Sequence, residues 1–260
     1  MPELKIGVGL SSLKQPFKQA LHTAARLGAT GIEIDVRTGI RPSELSDTGR
    51  RQLRKMLDDL NLRVAAVRFP TQRGYDVLQD LEQRIDATKQ AMRFAYSLGC
   101  NNVINAVGYI PDDANHSAYD QLQVSLGDLA AFGQHVGTML ACETGSEPVE
   151  RLVGLLETLA DQTIGIAFNP SNLVISDNYA EDTIAPCASR TLVVVARDGV
   201  RDLSRGRGLD VPLGRGSVDF PQILGRLEEQ HYSGWFIVDR FNSQDPISEI
   251  GSAIQYLRAL

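Results

Sequence analysis

Five apolar runs of this chain carry, at or near their ends, a residue that can hold a charge, move a proton or offer an amide oxygen. "GIEIDV" (31–36) contains Glu33, and "TMLACET" (138–144) carries Glu143 one place before its end. "IGIAFN" (164–169) closes on Asn169, "TLVVVAR" (191–197) on Arg197 with Asp198 next, and "WFIVDR" (235–240) on Asp239 and Arg240. Three of these carboxylates, Glu33, Glu143 and Asp239, and an amide brought to one mouth have two chemistries open to them. Their oxygens suit a hard divalent cation, and a carboxylate pair suits general acid–base transfer. A polar residue at the end of an apolar run also simply meets solvent, so spacing alone leaves these readings open.

Bringing such residues together requires elements that end on one side. Runs rich in Val, Ile and Ala recur along the chain at 4–10, 31–36, 63–69, 101–108, 138–144, 164–169, 191–197 and 235–240. Segments of helical spacing follow most of them. In "FKQALHTAARLGA", Phe17, Leu21, Ala24, Ala25 and Leu27 share one face before a terminating Gly28. Further helices are expected in 47–62, 80–100, 117–137 and from Pro148, a residue suited to a first helical turn. Eight βα units in 260 residues, with no linker-like stretch, predict one α/β domain over residues 1–260, a (β/α)₈ TIM barrel. A doubly wound open sheet fits less well, because "SSLKQPF" after the first run is no glycine-rich fingerprint. In a barrel the C-terminal ends of the strands form the active mouth.

Composition narrows the function. A formal charge of −6 without a lysine-rich tail argues against a nucleic-acid partner. No basic leader and no run near the ~18–20 apolar residues of a membrane span is present, so no membrane partner and a cytoplasmic location are expected. Cys100, Cys142 and Cys187 are too few and too irregularly spaced for a disulfide framework or a zinc site, and read as buried thiols.

The segments "GIEIDV", "ACETG", "FNPSNL", "VVARDG" and above all "VPLGRGSVDFPQIL" before "GWFIVDR" resemble the xylose isomerase-like barrel family. That family includes sugar and sugar-phosphate isomerases and epimerases and the endonuclease IV-like proteins. The resemblance implies one divalent metal held by Glu, Asp, His and Glu on strands 5 to 8, with the two glutamates moving a proton through an enediolate. Carried over by position, the first ligand is Glu143, but the second is Asn169, the third falls on Val195, and the fourth is the shorter Asp239. The resemblance therefore implies either no cofactor or a weakly bound Mg²⁺ or Mn²⁺ on Glu143, Asn169 and Asp239. None of His22, His116, His135 and His231 closes an apolar run, which removes the multi-histidine cluster a nuclease of this type needs.

Two functions stay open. One is a sugar or sugar-phosphate isomerase or epimerase with a divergent site, in which Glu143 and Asp239 form the acid–base pair. The other is a non-catalytic ligand-binding barrel that lost its metal. Glu143 itself reads as a catalytic base, as an acceptor for a substrate hydroxyl, or as a carboxylate paired with Arg197 or Arg240. Glu33, Asn172, Arg197 and Arg240 are the candidate contacts to a carbohydrate-like small molecule, Glu33 reading equally as a buried, hydrogen-bonded glutamate. The arginines of the loop after the seventh run (Arg197, Arg201, Arg205, Arg207 and Arg215) read as a solvated, acid-balanced loop or as an oxyanion site. By family analogy a homo-oligomer is an expected assembly.

Overall fold

The computed structural model describes residues 4–159, 163–202 and 208–260. Its strands are β1 (Ile6–Gly9), β2 (Gly31–Asp35), β3 (Arg63–Arg68), β4 (Asn102–Asn105), β5 (Met139–Glu143), β6 (Ile164–Phe168), β7 (Thr191–Ala196), β8 (Asp198–Val200), β9 (Leu209–Val211) and β10 (Trp235–Val238). Its helices are α1 (Phe17–Arg26), α2 (Asp47–Asp59), α3 (Leu81–Ser97), α4 (Ser117–Val136), α5 (Val149–Glu157), α6 (Pro170–Ile175), α7 (Phe220–Glu229) and α8 (Pro246–Arg258). Eight parallel strands close in the order β1-β10-β7-β6-β5-β4-β3-β2, which is the (β/α)₈ barrel expected from the eight apolar runs. The eighth barrel strand is β10, because a short antiparallel hairpin, β8–β9, intervenes after β7.

Two layers of apolar side chains account for the closure. The outer one packs the amphipathic helices against the barrel. In α1 the buried residues Ala20, Leu21, Thr23 and Ala24 lie on the inward face. The inner one is a separate cluster of Ala65, Ala66, Ile104, Ala141, Ala167, Val193, Val195 and Ile237, which fills the barrel's centre. Trp235 and Leu192 plug its N-terminal end, and glycines make the room. A Cβ on Gly31 would stand 2.5 Å from the Trp235 ring, and one on Gly165 2.5 Å from Leu192.

The pairing slips by one residue at two places. Ile32 pairs with Val64 but Glu33 with Ala66, and Ile166 pairs with Thr191 but Ala167 with Val193. Such bulges re-aim the side chains that follow them. Ala66 thereby sits beside Glu33, and Arg68, two residues on, shares its inward phase.

The loop after β7 has its own organising group. The Asp198 carboxylate is buried and accepts backbone N–H bonds from Gly199 (2.8 Å) and Val218 (3.1 Å) on one oxygen, and from Gly214 (3.0 Å) and Gly216 (2.8 Å) on the other. This explains the glycines of "PLGRGS", since a Cβ on Gly216 would lie 2.1 Å from Asp198 Oδ1. Gly216→Ala is expected to cost about 2 kcal/mol or more in urea unfolding. A loss under about 0.5 kcal/mol would contradict this role.

Candidate functional site

Inside a barrel the side-chain period of two carries the apolar filling directly into the mouth. Two residues beyond Ala66, Ala141, Ala167, Val195 and Ile237 stand Arg68, Glu143, Asn169, Arg197 and Asp239. Glu33 joins them from β2. Gly9 on β1 lies between Glu33 and Asp239, and its missing side chain gives Asp239 room, for a Cβ there would stand 3.0 Å from Oδ1.

The centre of this layer is Arg68. Its Nε donates to Glu33 Oε1 at 2.8 Å and its Nη1 to Glu143 Oε2 at 2.7 Å, so one guanidinium joins carboxylates on β2 and β5. Glu143 Oε1 accepts from Asn169 Nδ2 at 2.9 Å. The Asn169 Oδ1 in turn caps α6 by accepting from the Asn172 N–H at 3.3 Å. Asp239 Oδ1 accepts from the Ser12 hydroxyl and from the Arg240 N–H. Three atoms of this buried cluster have no partner among the described residues: Glu33 Oε2, Arg68 Nη2 and Asp239 Oδ2. The burial is deep, with Glu33 1% exposed, Asp239 3% and Arg68 8%.

These surroundings divide the carboxylates. Burial raises the Glu33 pKa from 4.5 to about 7, with the negative charges of Asp239 and Glu143 adding to it and Arg68 opposing. Burial also pushes Glu143 upward, but the Arg68 charge, the bonds from Asn169 and Arg68, and the Arg197 charge outweigh it and hold it below the usual range. The Arg68 guanidinium is opposed by burial and held charged by Glu143, Glu33 and Asp239. Glu33 is thus the carboxyl raised toward neutrality and Glu143 the one held as an anion.

Of the residues singled out in the sequence, Glu33, Glu143, Asn169 and Asp239 come together. Arg197 and Arg240 turn to Asp210 on β9. Arg197 holds Asp210 Oδ1 through Nε (3.2 Å) and Nη2 (3.1 Å) and stacks 4.5 Å from the Phe241 ring, while Arg240 bonds Asp210 Oδ2 and Glu249 Oε2. The partner of Glu143 is Arg68 rather than either of these. Asn172 donates to the Thr144 carbonyl at 2.9 Å. Arg201 pairs with Asp177, Arg215 is exposed, and Arg205 and Arg207 lie outside the described residues. Arg68 and Ser12 were not among the expected site residues. The signal for Arg68 was present, since it lies one place before the end of the third apolar run, as Glu143 does in the fifth. A cleft of about 310 Å³ opens onto Glu143 between the loops after β4 and β5, with Tyr109 and Ile110 on one wall and Pro148 on the other.

The xylose isomerase-like TIM barrel profile matches residues 21–260. The chain belongs to this family. It is 23% identical over 259 residues to L-ribulose-5-phosphate 3-epimerase UlaE of Escherichia coli, covering 93% of this chain and 88% of that protein. A xylose isomerase domain protein from Planctomyces limnophilus superposes with a TM-score of 0.87 at 20% identity over 99% of this chain and 97% of that one. A family protein from Mycobacterium smegmatis in complex with magnesium gives 0.78 at 16% identity, over 98% and 96%. D-psicose 3-epimerase with D-tagatose, from Clostridium cellulolyticum H10, gives 0.79 at 13%, over 98% and 99%.

The donor atoms of this chain do not fit the metal that the family resemblance implies. Both Glu143 oxygens are bonded, the Asn169 oxygen caps a helix, and Val195 is hydrocarbon in the barrel's core. Among the described residues no three His, Cys, Asp or Glu side chains are grouped to hold one ion.

Two predictions follow from the Arg68 network. Arg68→Met leaves two buried carboxylates without their cation and is expected to cost about 3–5 kcal/mol, most of it recovered when Glu33→Gln and Glu143→Gln are added. A single variant within about 0.5 kcal/mol of the parent in urea unfolding would rule the network out as a stabilising element. Because Glu33 binds its proton more tightly folded than unfolded, its contribution is complete below pH 4.5 and fades as pH rises through about 7. Tm measured across that window should fall less with pH in Glu33→Gln than in the parent, and parallel profiles would refute the assignment.

Proposed function

We propose that this chain is a sugar or sugar-phosphate isomerase/epimerase-like protein whose ligand is a small polyhydroxylated molecule bound at the C-terminal mouth of the barrel. The observation that carries the reading is the set of three unpartnered polar atoms on Glu33, Arg68 and Asp239. Buried polar groups in folded proteins find partners, and hydroxyls both donate and accept. The epimerases among its relatives and structural neighbours support the same substrate class.

The chemistry is proton transfer at a carbon beside a carbonyl. A carboxylate takes the proton, the C–H electron pair moves to form the enediolate, and a carboxylic acid returns a proton to carbon, so no oxidant or reductant is consumed. The free oxygens are Asp239 Oδ2 and Glu33 Oε2, and Glu33 titrates near neutrality. In this reading Asp239 keeps the acid–base role expected for it, Glu33 is its partner, and Glu143 acts by holding Arg68 and Asn169 rather than by taking the proton.

One observation favours the non-catalytic alternative: Glu143, the one ligand position that agrees with the family, has both oxygens engaged. Solvent-deuterium incorporation into a panel of pentoses, hexoses and their phosphates, followed by NMR, separates the two. Exchange at the carbon next to the carbonyl is expected, reduced about 10²-fold or more by Asp239→Asn. Undiminished exchange in Asp239→Asn removes that residue from the mechanism, and saturable sugar binding without exchange supports the binding barrel.

A further inference from the structure

We infer that the Arg68 guanidinium is the permanent cation of this site, standing where the family resemblance implies a divalent metal. The first ground is position. Arg68 is hydrogen-bonded to Glu143, the one ligand position that keeps its family residue, and lies close enough to Asp239, the last ligand position, to feel its charge. A dication entering this mouth would have to displace a guanidinium gripped by two carboxylates, against like-charge repulsion.

Charge is the second ground. Three carboxylates around a dication leave one net negative charge. At the same four positions this chain has two carboxylates, Glu143 and Asp239, with Asn169 and Val195 neutral, and Arg68 supplies one positive charge. Over these four positions and Arg68 the net charge is again one negative, with Glu33, the second carboxylate on Arg68, counted in neither sum. The loss of an acidic ligand and the exchange of two positive charges for one compensate each other.

Chemistry is the third. A guanidinium does not lose its proton in proteins, and its planar fork offers several N–H groups at once. With Nε on Glu33 and Nη1 on Glu143, Nη2 is buried without a partner among the described residues. It is the donor left for a ligand oxygen that becomes negative, which is where electrostatic stabilisation acts in such reactions. This last step rests on the sugar reading above; the replacement of the metal does not.

Thermal unfolding of the full chain tests the replacement without any sugar. After EDTA treatment, Mg²⁺ and Mn²⁺ up to about 10 mM are expected to give no saturable rise in Tm, since only a ligand of the native state raises it. A saturable rise that disappears in Glu143→Ala would overturn the inference. Arg68→Ala is expected to melt lower and to regain several degrees, saturably, in millimolar guanidinium chloride but not in sodium chloride of equal ionic strength. Arg68→Ala melting like the parent and indifferent to guanidinium would also overturn it. If that variant yields no folded protein, the wild-type metal titration still decides. Where exchange activity is found, it should persist in EDTA; activity lost in EDTA and restored by Mn²⁺ would contradict the inference while leaving the sugar reading intact.

Discussion

A guanidinium buried between carboxylates governs what this barrel's mouth can do. Removing charges from water costs several kcal/mol per ion, and the cost is offset only when each charge meets close partners of the opposite sign. Arg68 meets Glu33 at 2.8 Å and Glu143 at 2.7 Å. The pairing holds Glu143 ionised, whereas at Glu33 burial outweighs it and raises that carboxyl to about 7. From β3 the pairing also ties the neighbouring β2 and, past β4, β5 to one side chain inside the mouth.

The barrel makes this arrangement possible through small residues. Ala66, Ala141 and Ala167 lie one inward step below Arg68, Glu143 and Asn169, and the bare Gly9 stands between Glu33 and Asp239. The β8–β9 hairpin acts on the opposite side. Its Asp210 draws Arg197 and Arg240 together, which keeps two further guanidinium groups engaged beside the centre, while Asp198 gathers the backbone of the following loop.

The barrel and the carboxylates of its mouth were legible in the sequence because both depend on local pattern. A continuous apolar run that stops at a carboxylate, as before Glu143 and Asp239, marks both a buried strand and its polar end. The partners were not legible to the same degree. Whether Arg68 faces inward depends on the slip that places Ala66 opposite Glu33, and its reach to Glu143 depends on which strands the closure makes neighbours. Arg197 and Arg240 lie at strand ends as expected, yet a single aspartate in a three-residue strand redirects them, and nothing in the spacing of 209–211 announces that strand. Asn169 shows the same limit: its position matches a ligand, whereas its oxygen is spent on the helix that begins at the next residue.

A crystal structure of the protein grown with manganese, with anomalous data collected to locate the ion, would test the central claim most directly. No anomalous peak is expected among Glu143, Asn169 and Asp239, with the Arg68 guanidinium bonded to both Glu33 and Glu143. A manganese peak bound by Glu143 and Asp239, with Arg68 turned out of the mouth, would contradict it.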